Sequence, residues 1–276
     1  MDRIRLIASD MDATLLDEQS QLPADFEETI HALAELSIRF APASGRPLYT
    51  LEAMFPTLQD ELVFIGDNGG AIRWKGQNLF TSEMSPEGWR ALNRLTREQG
   101  DIAVLCGLES AYVERPFAVH DAVLRHFYTK IEYVDRLEDV TAPADKFTIY
   151  LPQHNAQQAY DTVYASQRSI YSVAVAGECW VDIMNPGVHK GAALQTLGQL
   201  WGLPSESIMA FGDTYNDAEM LQTVRYGFLM ENGSKPLRQK VPFLAPSHRE
   251  AGVMQVLHRV LTQNGCVCPE DFIPAH

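Results

Sequence analysis

Residues 4–9 (IRLIAS) form a short, largely apolar run that stops abruptly at a cluster of Asp and Thr. A run bounded that way reads as a buried strand with a polar loop at its C-terminal end. From Ala24 to Leu36, apolar residues at Phe26, Ile30, Leu33 and Leu36 recur at helical spacing. A second strand is predicted at 38–43 (IRFAPA), ending at Ser44-Gly45-Arg46-Pro47, followed by a helix at 47–54 and a third strand at Leu62–Gly66 (LVFIG). Strands and helices alternating in this way predict a parallel sheet with right-handed crossovers.

The pattern then changes. Asp67-Asn68-Gly69-Gly70 signals a turn, and 71–80 reads as a hairpin around Lys75-Gly76. Beyond it, strands at 102–106, 146–151, 170–175 and 179–184 mix with helices near 118–127 and 154–167. That stretch is expected to be a separate α+β module, an open sheet with helices on one face. At His189-Lys190-Gly191 the α/β alternation resumes, with helices at 191–201, 216–223 and 250–262 and strands at 207–211, 226–230 and 243–245. The fold class expected is α/β. A Rossmann-like, doubly wound parallel-sheet core is built from 1–82 and 186–276, and an α+β module is inserted at 83–185.

Composition narrows the function classes. With 46% hydrophobic and 21% charged residues, the 276-residue chain has the balance of a folded globular protein. Its 22 basic and 36 acidic residues give a formal charge of -14, which repels phosphate backbones and argues against nucleic acid as a partner. The same field slows anionic substrates unless the site gathers positive charge locally. No apolar run approaches the roughly 18 residues of a membrane span. The N-terminal apolar stretch is broken by Asp10 and lacks the h-region of a signal peptide. Four cysteines, with Cys266 and Cys268 in a lone C-x-C, make no disulfide framework and no zinc site. The expectation is a soluble, cytoplasmic protein. Nothing in the sequence signals an oligomeric state.

Four polar clusters carry candidate chemistry. Asp10-Met11-Asp12-Ala13-Thr14 sits where open α/β sheets bind ligands, outside the carboxyl ends of the strands. Of two carboxylates two residues apart, one can attack or ligate a metal while the other moves a proton. A turn or a helix cap competes with that reading. A calcium loop does not, because Leu15 and Gln21 replace its Gly and bidentate Glu. Gly212-Asp213-Thr214-Tyr215-Asn216-Asp217 also follows an apolar strand, and Asp213 with Asp10 would make the hard oxygen site that magnesium prefers. Capping by Thr214 or Asn216, with Asp217 and Glu219 in the first turn, is the plainer alternative, although it leaves Asp213 unexplained. Ser44-Gly45-Arg46-Pro47 offers a hydroxyl and backbone N–H groups to phosphate oxygens, or else an N-cap. Lys190 begins a helix, where a cation opposes the dipole unless an anion is near.

The order D-x-D-x-T, S-G-R, Lys and G-D-x-x-N-D, spread over residues 4 to about 262, resembles the haloacid dehalogenase superfamily. Asp67–Gly70, the stretch PGVHKG at 186–191 and the inserted module between Ser44 and Lys190 resemble its Cof-type branch. The resemblance implies a magnesium-dependent phosphatase. Asp10 would be the nucleophile, and Asp12 the acid that protonates the leaving alcohol and then the base that activates water. Mg2+ would be held by the Asp10 carboxylate, the Asp12 carbonyl and Asp213. Ser44, Gly45, Lys190 and Asn216 would grip the phosphoryl group. Asp217 and Thr14 would stand behind them, Asp217 orienting Lys190 or a metal-bound water. The module at 83–185 would be a cap that selects among small phosphorylated metabolites such as sugar phosphates, flavin mononucleotide or pyridoxal phosphate. Two rivals are a sugar phosphomutase of the same superfamily and a catalytically silent binding protein. Ala13 departs from the usual Gly of D-x-D-G-T, and would be strained if φ there is positive. Asn68 divides evenly between a turn residue and an active-site role.

Overall fold

The computed structural model describes residues 1–276, and two large sheets organise it beside a small two-stranded one. The larger has nine strands in the spatial order Ile273–Pro274, Phe243–Ala245, Tyr226–Met230, Ile208–Gly212, Leu6–Asp10, Arg39–Ala43, Val63–Gly66, Ala71–Trp74 and Gln77–Thr81. The six from Phe243–Ala245 to Val63–Gly66 run parallel. The flanking strands pair antiparallel, so the doubly wound parallel core has antiparallel edges at both ends.

Both faces of this sheet are covered, which is why its strands read as continuous apolar runs rather than alternating ones. Ile7, Phe40, Phe64 and Phe228 pack on one face with Phe26 and Leu33 of one helix and Val253 and Leu257 of another. Leu6, Ala8, Ala41 and Ile65 pack on the other with Leu194, Leu197 and Leu221. Leu6–Asp10 lies between Ile208–Gly212 and Arg39–Ala43, where the direction of winding reverses. Asp10 is its last residue, so it emerges at the topological switch point, where open α/β sheets leave a crevice.

The second sheet has six strands, in the order Ser172–Val175, Trp180–Met184, Ala144–Tyr150, Ile102–Gly107, Ala111–Glu114 and Ile131–Val134. Three of its elements escape the periodicity argument: the helix Pro86–Gln99 and the strands Ala111–Glu114 and Ile131–Val134. The helix carries its own punctuation. The Ser85 hydroxyl accepts from the Gly88 N–H, Pro86 opens the first turn, and Gly100 closes the helix in a left-handed conformation. The helix expected at 154–167 is a shorter one, Ala156–Asp161, followed by a 3-10 turn at Ala165–Ser169. The helix expected near 118–127 is likewise a 3-10 segment, Arg115–His120, running into Asp121–Phe127.

Two chain crossings join the sheets, and they are stapled to each other. Asn185 Nδ2 donates to the carbonyls of Ser82 (3.2 Å) and Glu83 (2.8 Å). The C-terminal tail packs on the larger sheet. The Phe272 ring meets Phe228 edge-on at 5.0 Å, and Cys266–Val267 pairs with Asp2–Arg3. No helix is long and apolar enough to cross a membrane.

Candidate active site

Asp10, Asp213 and Lys190 come from three separate chain segments and meet at the carboxyl edge of the larger sheet. The fully buried Lys190 ammonium donates to Asp10 Oδ1 and, at 2.7 Å, to Asp217 Oδ1. The anions that make a cation tolerable at this helix start are therefore these two carboxylates. Asp217 Oδ2 accepts from the N–H groups of Asp213 (3.0 Å) and Thr214 (3.2 Å), which fixes the Asp213 loop. That grip demands glycine at 212, where a Cβ would fall 2.4 Å from the Asp217 Cβ. Thr214 also caps the turn that follows, so capping and site building share one segment.

Carboxylate oxygens of Asp10, Asp213 and Asp217 lie within 4.8 Å of one another. Burial pushes the Asp10 carboxyl up to about 7, with Lys190 opposing and Asp217 and Asp213 adding to the rise. Burial and then Asp217 push Asp213 up to about 6. Burial works against the charge on Lys190, but Asp10 and Asp217 outweigh it and raise its pKa. A concentration of buried carboxylates beyond what one ammonium neutralises fits a hard divalent cation.

Asp12 lies apart from this cluster. Its side chain is 59% exposed and is held by Arg46, whose Nη1 and Nη2 donate to Oδ2 and Oδ1. Arg46 is the residue that motif reasoning passes over: it stands inside S-G-R, but the sequence gives no hint that it reaches Asp12. Between the two aspartates, Ala13 sits at φ 56°, the left-handed region that glycine adopts freely. The strain is real, and Asn232 Nδ2 holds the Ala13 carbonyl at 2.8 Å.

Ser44 is buried, and its Oγ accepts from the Arg46 N–H at 3.1 Å. It does not cap the helix Leu48–Ala53, whose N-cap position is Pro47. Gly45 passes so close to Asn68 that a Cβ would lie 3.2 Å from Asn68 Oδ1. Asn68 is both turn residue and connector: it adopts φ 54° and donates through Nδ2 to Asp182 of the second sheet at 3.1 Å. Asn216 is exposed, and its Oδ1 accepts from the Thr214 hydroxyl at 2.5 Å rather than contacting Lys190 or Ser44. The Thr14 hydroxyl is buried without a protein partner.

A cavity of about 1200 Å³ opens over these groups. Asp10, Asp12, Ser44, Arg46 and Asp213 line it from the larger sheet, and Phe127, Trp180 and Met184, together with Lys146, Thr148 and Asp182, line it from the second sheet's layer. Arg115 is paired with Asp135 at the surface, and His120 packs edge-on against Tyr150.

A family model of haloacid dehalogenase-like hydrolases matches residues 7–257, and the chain belongs to that family. Among its relatives is 5-amino-6-(5-phospho-D-ribitylamino)uracil phosphatase YbjI of Escherichia coli K12. The two are 31% identical over 262 residues, covering 94% of this chain and 96% of that one. The HMP-PP phosphatase of Cronobacter sakazakii is 30% identical, covering 87% and 89% respectively. The crystal structure of SMU.1108c from Streptococcus mutans UA159 superposes with a TM-score of 0.85 at 28% identity, over 94% of this chain and 99% of that one.

Proposed function

We propose that this protein is a magnesium-dependent phosphatase of small phosphorylated metabolites that works through an aspartyl-phosphate on Asp10. The observation that carries the reading is the convergence of Lys190 on Asp10 and Asp217 beside Asp213, at the sheet's switch point and under a cavity of metabolite size.

The Asp10 carboxylate attacks phosphorus, and the new bond to its oxygen forms as the bond to the leaving oxygen breaks. Asp12, once protonated and released from the Arg46 fork, gives its proton to that leaving oxygen. In the second half, Asp12 takes a proton from water as the water oxygen bonds to phosphorus and the Asp10 oxygen departs. Asp10, Asp213 and the main chain at Asp12 would hold Mg2+, which when bound neutralises charge on the phosphoryl oxygens. Lys190, Ser44 and the backbone of Gly45 bind those oxygens, and the metal would supply the positive charge that the clustered carboxylates cancel, against a chain net charge of -14. Asn216 closes the edge of the site. Asp217 and Thr14 sit behind the reacting groups, Asp217 holding Lys190 in place.

Residues 83–185 act as the cap that covers the site and touches the substrate beyond its phosphate. The pairing of a charged end with the Phe127, Trp180 and Met184 wall supports a phosphomonoester whose leaving group is partly apolar or ringed, such as the uracil compound named for the relative YbjI. All four cysteines are free, which supports a cytoplasmic setting.

Phosphate release from a panel of phosphomonoesters, with magnesium and with chelator, beside an Asp10→Asn variant, tests the reading. Release that needs the metal and disappears in the variant is expected. Absence of release from every substrate contradicts it, and isomerisation of a sugar phosphate that needs a sugar bisphosphate activator, with little net release of phosphate, would indicate a mutase.

A further inference from the structure

Two lysines are buried in this protein, Lys190 and Lys146, and the chemistry above uses only the first. Lys146 belongs to the strand Ala144–Tyr150 of the second sheet, on the same face as Thr148 and the facing Met184 and Asp182. Its side chain leaves that sheet and enters the core. Nζ donates to the Gly45 carbonyl at 2.6 Å and lies 3.1 Å from Asp67 Oδ1 and 3.4 Å from Asp182 Oδ2. Two of its three partners therefore sit on loops of the larger sheet. Burial works against the ammonium's charge, but Asp182 and Asp67 outweigh it, so Lys146 stays charged.

The surrounding contacts tie the same two loops together. Asp182 accepts from Thr148 Oγ1 at 2.7 Å and from Asn68 Nδ2 at 3.1 Å. Asp67 and Asn68 both take positive φ (50° and 54°), a conformation that successive non-glycine residues keep only when their surroundings hold them. Both Asp182 oxygens are engaged within this network, whose Lys146, Asp182 and Asn68 also line the cavity, so it holds the cavity wall in position.

We propose that Lys146 is a positioning residue for phosphate binding. By holding the Gly45 carbonyl from the inserted sheet, it sets the Ser44–Arg46 turn and makes phosphate affinity depend on how that sheet is seated. The inference rests on the reading that this turn grips the phosphoryl group. Coupling between two sites is reciprocal, so phosphate bound at the turn must in return favour the seated sheet.

The test measures KM and kcat for p-nitrophenyl phosphate, and Ki for inorganic phosphate, in the wild type, Ser44→Ala, Lys146→Met and Lys146→Met/Asp182→Asn. The double variant removes Asp182, one of the two carboxylates stranded with Asp67, and so recovers part of the stability lost in the single one. A charge-assisted hydrogen bond lost from the turn should raise KM and Ki by about tenfold or more, in both Lys146 variants, with a smaller fall in kcat. A thermal midpoint that drops in Lys146→Met and recovers in the double variant, with Ki unchanged in both, would mean a merely structural lysine and overturn the proposal. If Ser44→Ala also leaves Ki unchanged, the reading of the turn as the phosphate grip falls instead. Hydrogen exchange on the wild-type protein gives an answer even where a variant fails to fold. Inorganic phosphate should slow exchange in the crossings at 82–85 and 185–189, and phosphate that binds without that protection overturns the coupling.

Discussion

Arg46 grips Asp12 with both prongs of its guanidinium, Nη1 to Oδ2 at 2.5 Å and Nη2 to Oδ1 at 3.0 Å. A carboxylate this exposed has wide rotamer freedom on its own, and a planar fork confines it to one plane. Asp12 is thereby held in one orientation where it lines the cavity, outside the buried Asp10–Lys190–Asp217 group.

Removing that hold should slow proton transfer more than binding. Arg46→Ala is expected to lower kcat by about 10- to 100-fold, a part of the ~10²–10⁴-fold that general acid–base catalysis supplies, with a smaller change in KM. Arg46→Lys should not restore it, because an ammonium cannot hold both oxygens. Steady-state kinetics on the best substrate checks this, and an unchanged kcat would refute the role.

Much of this site was legible because its parts follow strands. IRLIAS, IRFAPA and SIMAF are apolar runs that stop at polar residues, and in a sheet covered on both faces that ending marks the crevice side. Contacts between segments distant in sequence were not legible. Nothing local to Arg46 or Lys146 shows that one reaches Asp12 and the other Gly45. The second sheet was read least well. Its strands Ala111–Glu114 and Ile131–Val134 are short and half-exposed, with Glu114 and Glu132 breaking the apolar run, and the helix Pro86–Gln99 escapes although Ser85, Pro86 and Gly100 punctuate it. Asn216 shows the reverse limit: its motif is present, but its side chain is tied to Thr214.

Lys190→Met leaves Asp10 and Asp217 facing each other without their shared cation. Stripping one partner from a buried ion pair costs about 3–5 kcal/mol, so the variant should be both inactive and destabilised. Urea denaturation monitored by circular dichroism, in chelator, measures the loss. A midpoint equal to that of the wild type would show that the ammonium is not needed to hold the carboxylates.

Magnesium that binds only the folded protein must stabilise it, by about 2.7 kcal/mol when the metal is at a hundred times its Kd. Thermal melts with and without magnesium should show an upward shift in the wild type and none in Asp213→Ala. An equal shift in both would place the metal elsewhere.

Asp145, in the strand Ala144–Tyr150 of the second sheet, lies beside Asp67 of the larger sheet's loop, with Lys146, Asp182 and Glu83 near them. Burial pushes Asp67 up to about 6 against the pull of Lys146, and burial and then Asp67 push Asp145 well above the ordinary carboxyl range. A carboxyl with a raised folded pKa binds its proton more tightly in the fold. Its contribution is fully present below the unfolded pKa of about 4 and is lost as pH rises through the folded value. Asp145→Asn should therefore gain stability relative to the wild type as pH rises from about 5 to about 8. Urea midpoints across that range check it, and a constant difference between the two proteins would contradict it.

The covalent step is tested most directly with Asp12→Ala and p-nitrophenyl phosphate, a substrate whose leaving group needs no proton. Attack by Asp10 should proceed while hydrolysis stalls. The expected result is a burst of one equivalent of p-nitrophenol, with a single phosphoryl group on the peptide containing Asp10 after acid quench. Steady turnover with no burst and no phosphoryl adduct on Asp10 would contradict the aspartyl-phosphate mechanism.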